Sequence, residues 1–291
     1  MKSNEQIANK VSVVTIIWNC ILSLFKLIVG IISNSNALIS DSIHSASDVF
    51  STFIVIIGIR IAAKEPDKEH PYGHERMECA AAIILSVTLF ITGLSIGINA
   101  FKNIIDGSSK ENINFGILAI IITVISIVVK ELMYWYTIYY AKKIDSGALM
   151  ADAWHHRSDS LSSIGALVGI IGANLGYSIM DSLASLVIFG FIAKASYDIF
   201  KDALDKMVDK SCDDSTEEEI CKCILKNREV LGIDMLQTRI FGNKIYVDLE
   251  ILLDGTYTLN RAHTIAEEIH DDIEKNFPKI KHIMVHVNSA T

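Results

Sequence analysis

Residues 11–62 read VSVVTIIWNCILSLFKLIVGII, then SNSN, then ALISDSIHSASDVFSTFIVIIGIRIA. A bilayer's hydrocarbon core is about 30 Å thick and takes roughly 20 mostly apolar residues per helical crossing. Both runs, about Val11 to Ile32 and about Ala37 to Ala62, have that length, and the polar residues between them leave room only for a tight hairpin. Working outward, the same test finds four more runs: about Glu78 to Phe101, Ile113 to Tyr140, Gly147 to Ala173 and Ser178 to Phe200. The reading is an all-α membrane domain of six spans over residues 1–205. Pro66, Pro71 and Pro278 all lie outside the runs, which fits uninterrupted helices. The first run is too long for a signal-peptide core, lacks a clear small-residue cleavage site and is followed at once by another span, so its retention is expected.

Composition agrees. Of 291 residues, 51% are hydrophobic and 21% charged, and the mean hydropathy of +0.37 is too high for an ordinary soluble enzyme. Lys plus Arg number 26 against 34 Asp plus Glu, a net charge of −8, which excludes the global basic field that holds nucleic acid. Five cysteines without framework spacing exclude a disulfide-stapled scaffold. Lys2 and Lys10 precede the first span, Arg60, Lys64, Lys68 and Arg76 surround the second connection, and Lys142 and Lys143 lie in the fourth. This bias predicts a multi-pass protein with both termini cytoplasmic. Lys102 and Lys110 in the third connection are a minor exception, offset by Asp106 and Glu111.

From about residue 206 the chain turns charged. Ser215 with Glu218 three residues later predicts a capping box opening a short helix. Met235 to Ile240 and Lys244 to Leu253 alternate apolar and polar residues around Gly242-Asn243, a hairpin pattern. About Leu259 to Phe277 is an amphipathic helix ended by Pro278, and Ile280 to Val287 is a third strand. The order αββαβ over residues 206–291 predicts a small α+β domain.

The pattern D-x-x-H-x-x-x-D occurs twice, as Asp41, His44 and Asp48 in the second span and as Asp152, His155 and Asp159 in the fifth. Positions i, i+3 and i+7 share one face of a helix. Two such faces supply His44, Asp48, His155 and Asp159, a set suited to four-coordinate Zn²⁺ and tolerable for Fe²⁺, Co²⁺, Mn²⁺ or Cd²⁺. The bland reading is polar glue between packed helices. Each central ionisable side chain costs about 2.5–3.5 kcal/mol on insertion scales, and packing alone explains a repeated pattern poorly. Asp41 and Asp152 stay outside the ligand set, as partners that hold the imidazoles or as steps of a proton path.

In the second connection Asp67, His70 and His74 can converge on a metal, with Pro71 and Gly73 turning the loop sharply; a solvated charged loop is the equal alternative. His263, His282 and His286 in the tail are a weak metal signal, although Asp248 and His286 share an accessible sheet face if the strands pair as read. Cys221 and Cys223 point to different sides of their helix, which disfavours a thiolate site. Lys130 and Glu131 in the fourth span are expected to face the bundle or snorkel, as a structural ion pair.

At Asp41 to Asp48, Asp67 to His74 and His155 to Asp159 the sequence resembles the cation diffusion facilitator family of divalent-metal transporters, over nearly the whole chain. The resemblance implies that His44, Asp48, His155 and Asp159 form the transport site and Asp67, His70 and His74 a loop metal site. It also implies a homodimer with V-shaped or packed membrane halves, joined through metallochaperone-like, ferredoxin-like tails, with Arg76 and Asp209 matching a basic and an acidic residue that pair at the dimer centre in some members. The tail departs from the zinc-exporting pattern. Asp234 and Asp248 stand where histidines are expected and Asn288 replaces a carboxylate, leaving Asp248, His263 and His286, which resemble the sparser tail sites of members linked to iron and other metals. His44 argues against manganese-type members with Asn-rich motifs in this span, without excluding manganese.

The implied function is efflux of a divalent cation, Zn²⁺ or Fe²⁺ first and Co²⁺, Cd²⁺ or Mn²⁺ after them, by proton antiport with alternating access. Metal ions then serve as substrate and regulator, with no prosthetic group and no enzyme activity. The sequence has no Walker-type Gly-x-x-x-x-Gly-Lys-Ser/Thr motif, which argues against a nucleotide motor. One rival is a metal-responsive membrane scaffold or sensor with little transport. Another is an intramembrane metalloenzyme that activates water, for which spans two and five offer no additional glutamate as a base.

Overall fold

The computed structural model describes residues 2–32, 36–105, 117–174 and 179–290. Two compact units result, Met1–Leu204 and Asp205–Thr291. The first is built from α1 (Lys2–Ile32), α2 (Asn36–Ala62), α3 (Arg76–Ile105), α4 (Ile117–Ile144), α5 (Gly147–Asn174) and α6 (Met180–Met207). The centre of the first connection, most of the third, the fifth, and the expected start of the fourth span at Ile113 lie outside the described residues.

Five of these helices are long and apolar enough to cross a membrane: Asn4–Ile32, Asp41–Ala62, Arg76–Ile105, Ile120–Ile144 and Ser182–Met207. The sixth expected span, α5, has 28 residues but falls short in apolarity. Asp152, Arg157 and Asp159 put three formal charges into about two turns of it. The helix that carries the second ligand motif thus trades apolarity for charge.

The membrane unit buries polar side chains beside an apolar core and turns further apolar side chains outward. On α1, Ser12, Thr15, Asn19 and Lys26 are buried while Ile17, Ile21, Leu24 and Ile28 are exposed. In lipid, polar groups must find partners within the bundle, and apolar side chains need no burial. Helix α1 packs on α2 and α4, and α5 packs on α3 and α4.

Small residues let α2 and α3 approach closely. A Cβ on Gly58 would stand 2.4 Å from the Cβ of Ala81, a backbone-fixed atom that cannot yield. Gly58→Ala is expected to cost roughly 1–3 kcal/mol by overpacking and to lower the thermal midpoint of the purified protein. Adding Ala81→Gly should recover part of the loss, whereas additive losses would mean that this contact does not set the helix spacing.

The second unit has the order αββαβ: α7 (Asp214–Ile224), β1 (Gly232–Phe241), β2 (Lys244–Asp254), α8 (Leu259–Asn276) and β3 (Ile280–Ala290). The sheet order is β1-β2-β3. The β1-β2 hairpin is antiparallel and turns through Gly242, whose φ of 64° favours glycine. Strand β3 runs parallel to β2, which requires the crossover that α8 supplies. Val247, Leu249, Ile251 and Leu253, at a spacing of two, meet Ile265, Ile269 and Ile273, at a spacing of four, with Ile220 and Ile224 completing the core.

The expected cap at Ser215 lies two residues earlier. Asp213 is the N-cap of α7, and its carboxylate accepts the hydroxyl of Ser215, the hydroxyl of Thr216 at 2.9 Å and the Thr216 N–H at 3.1 Å. A carboxylate collects three donors where a serine hydroxyl serves one. These bonds, the Ser215 hydroxyl foremost, hold the Asp213 carboxyl at about 2 against an ordinary 3.8. A folded-state value below the unfolded one gives stability present above pH 4 and lost as pH falls through about 2. Amide-exchange protection of α7 is expected to fall across that window in the native protein and to be flat in Asp213→Asn. An unchanged pH dependence in the variant would contradict this role of the cap.

Candidate metal centre

Helices α2 and α5 each carry a histidine and an aspartate one turn apart, so both side chains leave the same face. The pairing between the helices is reciprocal. His155 Nε2 lies 3.3 Å from Asp48 Oδ1, and His44 Nε2 lies 3.8 Å from Asp159 Oδ1. His44, Asp48 and Asp159 each offer one ligand atom within 4.8 Å of the others. Asp48 is buried, and the His44 side chain is the open member of the set, at 57% exposure. A cavity of about 470 Å³ adjoins His44, Asp48 and Asp159, with Lys26, Asp41, Ser126 and Lys130 also in its wall.

One member of this site escaped the sequence reading. Lys130 of α4 donates to Asp48 Oδ2 at 2.6 Å and to Asp159 Oδ2 at 2.9 Å. It does not form the expected pair with Glu131, which accepts from Ser160 at 3.0 Å and lies 4.0 Å from Arg157 Nε. Consecutive helical residues point about 100° apart and cannot share a partner. The signal available in the sequence was a lysine amid isoleucine and valine, which at that depth needs an anion on another helix.

Asp41 and Asp152 have partners other than the four ligands. Asp41 pairs with Lys26 at 2.8 Å, and the same ammonium donates to Ser45 at 2.9 Å. Asp152 accepts from Thr52 at 3.1 Å, and its other oxygen lies 3.6 Å from Nε2 of the fully buried His156.

In the second connection the three expected residues do converge. Asp67, His70 and His74 each offer one ligand atom within 4.8 Å of the others, with Asp67 3.4 Å from His70 Nδ1 and 3.3 Å from His74 Nε2. Gly73, at φ 103°, makes the turn. Asp67 also accepts the backbone N–H groups of His70 at 2.7 Å and Glu69 at 2.9 Å. These hold its carboxyl below the ordinary value, the His70 N–H contributing most, so it is an ionised acceptor ready for a cation.

Residues 12–208 match the cation efflux transmembrane domain, and residues 212–290 the cation efflux protein cytoplasmic domain. The chain belongs to the cation efflux family. It is therefore an integral membrane transporter for divalent metal efflux and not an enzyme. Among relatives of this cation efflux chain, an uncharacterised transporter of Methanocaldococcus jannaschii is 36% identical over 95% of this chain and 96% of its own. Metal tolerance protein C1 of Arabidopsis thaliana is 35% identical over 92% of this chain and 60% of its own. Manganese efflux system protein MneP of Bacillus subtilis is 33% identical over 98% of this chain and 97% of its own. A solved MamM C-terminal domain matches 26% of this chain and 96% of its own at 22% identity, with a TM-score of 0.26.

In the second unit of this family member, one chain does not assemble Asp248, His263 and His286. The register sets Asp248 beside Met284 and Glu250 beside His286, so Asp248 and His286 share the sheet face opposite the helices. His263 lies on α8 two residues before the core residue Ile265, and pairs with Glu267 at 3.2 Å. Asn288 donates to Asp234 at 2.9 Å and Glu250 at 3.0 Å on the open face. Cys223 is buried in the domain core and Cys221 is half-buried.

Proposed function

We propose that the chain exports a divalent transition metal from the cytoplasm in exchange for protons, with His44, Asp48, His155 and Asp159 as the transport site. The observation that carries this reading is the reciprocal pairing of His44 with Asp159 and of His155 with Asp48 between α2 and α5. Two carboxylates balance a divalent charge, and two imidazoles select a borderline transition metal over Mg²⁺ or Ca²⁺. Zn²⁺ and Fe²⁺ suit the donors, Co²⁺ and Cd²⁺ are tolerated, and the relative named for manganese efflux brings Mn²⁺ into the first rank. Neutral imidazole and ionised carboxylate are the metal-binding forms, so protons from the outer side compete with the cation and drive its release.

In this reading residues 1–205 are the transport domain, and residues 206–291 join two copies into a homodimer with both termini cytoplasmic. Asp67, His70 and His74 form the loop metal site. Asp248, His263 and His286 form a regulatory tail site whose ligands come from both copies. Its occupancy biases the dimer only if the two conformations bind metal with different affinity.

The test is metal uptake into proteoliposomes under an imposed pH gradient, comparing Mn²⁺, Zn²⁺, Fe²⁺, Co²⁺ and Cd²⁺. Accumulation that collapses when the gradient is dissipated supports antiport. Accumulation indifferent to the gradient rules antiport out, and absence of any flux favours the metal-responsive scaffold.

A further inference from the structure

We propose that Lys130 is a tethered competitor of the transported cation: its ammonium holds one oxygen of each carboxylate that receives the metal, and each metal ion that enters displaces it. The proposal rests on the transport-site reading above.

Lys130 Nζ bridges Asp48 Oδ2 and Asp159 Oδ2 at 2.6 and 2.9 Å. The other oxygen of each carboxylate faces an imidazole, Asp48 Oδ1 toward His155 and Asp159 Oδ1 toward His44. The ammonium thus bridges the two carboxylates that one metal ion would have to bind together. An ammonium has three donors and no lone pair, so it cannot join the metal's shell as a ligand. Ligating oxygens must come within about 2.0–2.2 Å of the metal, and an ion at that distance from both carboxylates repels a second cation hydrogen-bonded to the same two groups.

Formal charge points the same way. Asp48 and Asp159 with Lys130 sum to −1, and a divalent ion added beside the lysine would leave +1. The same ion in place of the lysine gives a neutral site. A monovalent ion that displaced the ammonium would gain no charge, so the device also selects against Na⁺ and K⁺. The cavity supplies the exit, since Lys130 and Ser126 of α4 line it beside Ser162 of α5. A four-carbon stem can move its head there without moving the helix. Lys26 does not take Lys130's place, being held by Asp41 and Ser45. The consequence for turnover is that returning lysine helps to eject the metal, which must bind well enough to enter and weakly enough to leave.

The test is equilibrium Mn²⁺ binding to full-length protein at one fixed pH, reading the site that Asp48→Ala removes, in wild type, Lys130→Met and Lys130→Arg. Loss of the competing ammonium, which the ion no longer has to displace, should tighten binding at least roughly tenfold in Lys130→Met. Lys130→Arg should weaken it, because a guanidinium fork grips two carboxylates more firmly. A lysine with a purely structural role would weaken binding in both variants, and any pattern other than opposite shifts overturns the proposal.

Should Lys130→Met fail to fold, the wild type decides the matter alone. Acetic anhydride labelling of Lys130, read by mass spectrometry, should rise severalfold with saturating Mn²⁺, and equal or lower labelling overturns the displacement. If Asp48→Ala removes no Mn²⁺ site at all, the transport-site reading itself has failed, an outcome distinct from those for Lys130.

Discussion

Metal flux into proteoliposomes is expected to fall roughly 100-fold or more when Asp159 becomes alanine, since even residues that only support metal ligands commonly cost 10–100-fold. Asp159 does three things at once: it offers a ligand oxygen among His44 and Asp48, it faces His44, and it accepts from Lys130. Removing it leaves one carboxylate against a divalent ion and an ammonium. Asp48→Ala removes the matching set, with His155 in the place of His44, and the two losses should be alike and not additive, because the residues act on one ion. Unaltered flux in either variant would mean that the pairs are packing glue. Correctly folded protein in both variants, read by size-exclusion profile, separates loss of the site from loss of the bundle.

The second large effect is on stability. Ile251 is fully buried at the centre of the β2 row that packs on α8, and Ile251→Ala is expected to cost roughly 2–5 kcal/mol. A unit of this size holds in total only about 4–13 kcal/mol at typical values per residue. Hydrogen exchange on the full-length protein should show the amides of β2 and β3 losing most of their protection while those of α3 keep theirs. Equal loss in α3 would contradict the division of the chain into two units.

The membrane helices were legible because hydrocarbon thickness fixes a length that soluble helices need not meet. Helix α5 shows the limit of that rule, since its ligands lower its apolarity. The four proposed ligands stood out because one pattern recurred in two spans. Lys130 was missed because periodicity assigns a residue to a face of its own helix but not to the helix that face meets, and α4 packs heavily on α5. The same limit affected Asp41, whose partner is Lys26 of α1 rather than an imidazole. In the tail, helix and strand periods were enough to find the core, but Asp248 and His263 fell on opposite sides of the layer because strand and helix face different ways. The cap of α7 moved to Asp213 through local donors that a four-residue pattern does not count.

The central claim is that one metal ion is held by imidazoles and carboxylates from both α2 and α5. The most direct measurement is nitrogen-14 electron–nuclear double resonance on Mn²⁺ bound to full-length protein in which Asp67, His70 and His74 are replaced by alanine. The account predicts coupling to two imidazole nitrogens, reduced to one in His155→Ala and absent when His44→Ala is added. An all-oxygen shell, or nitrogen coupling that survives the loss of both histidines, would contradict it.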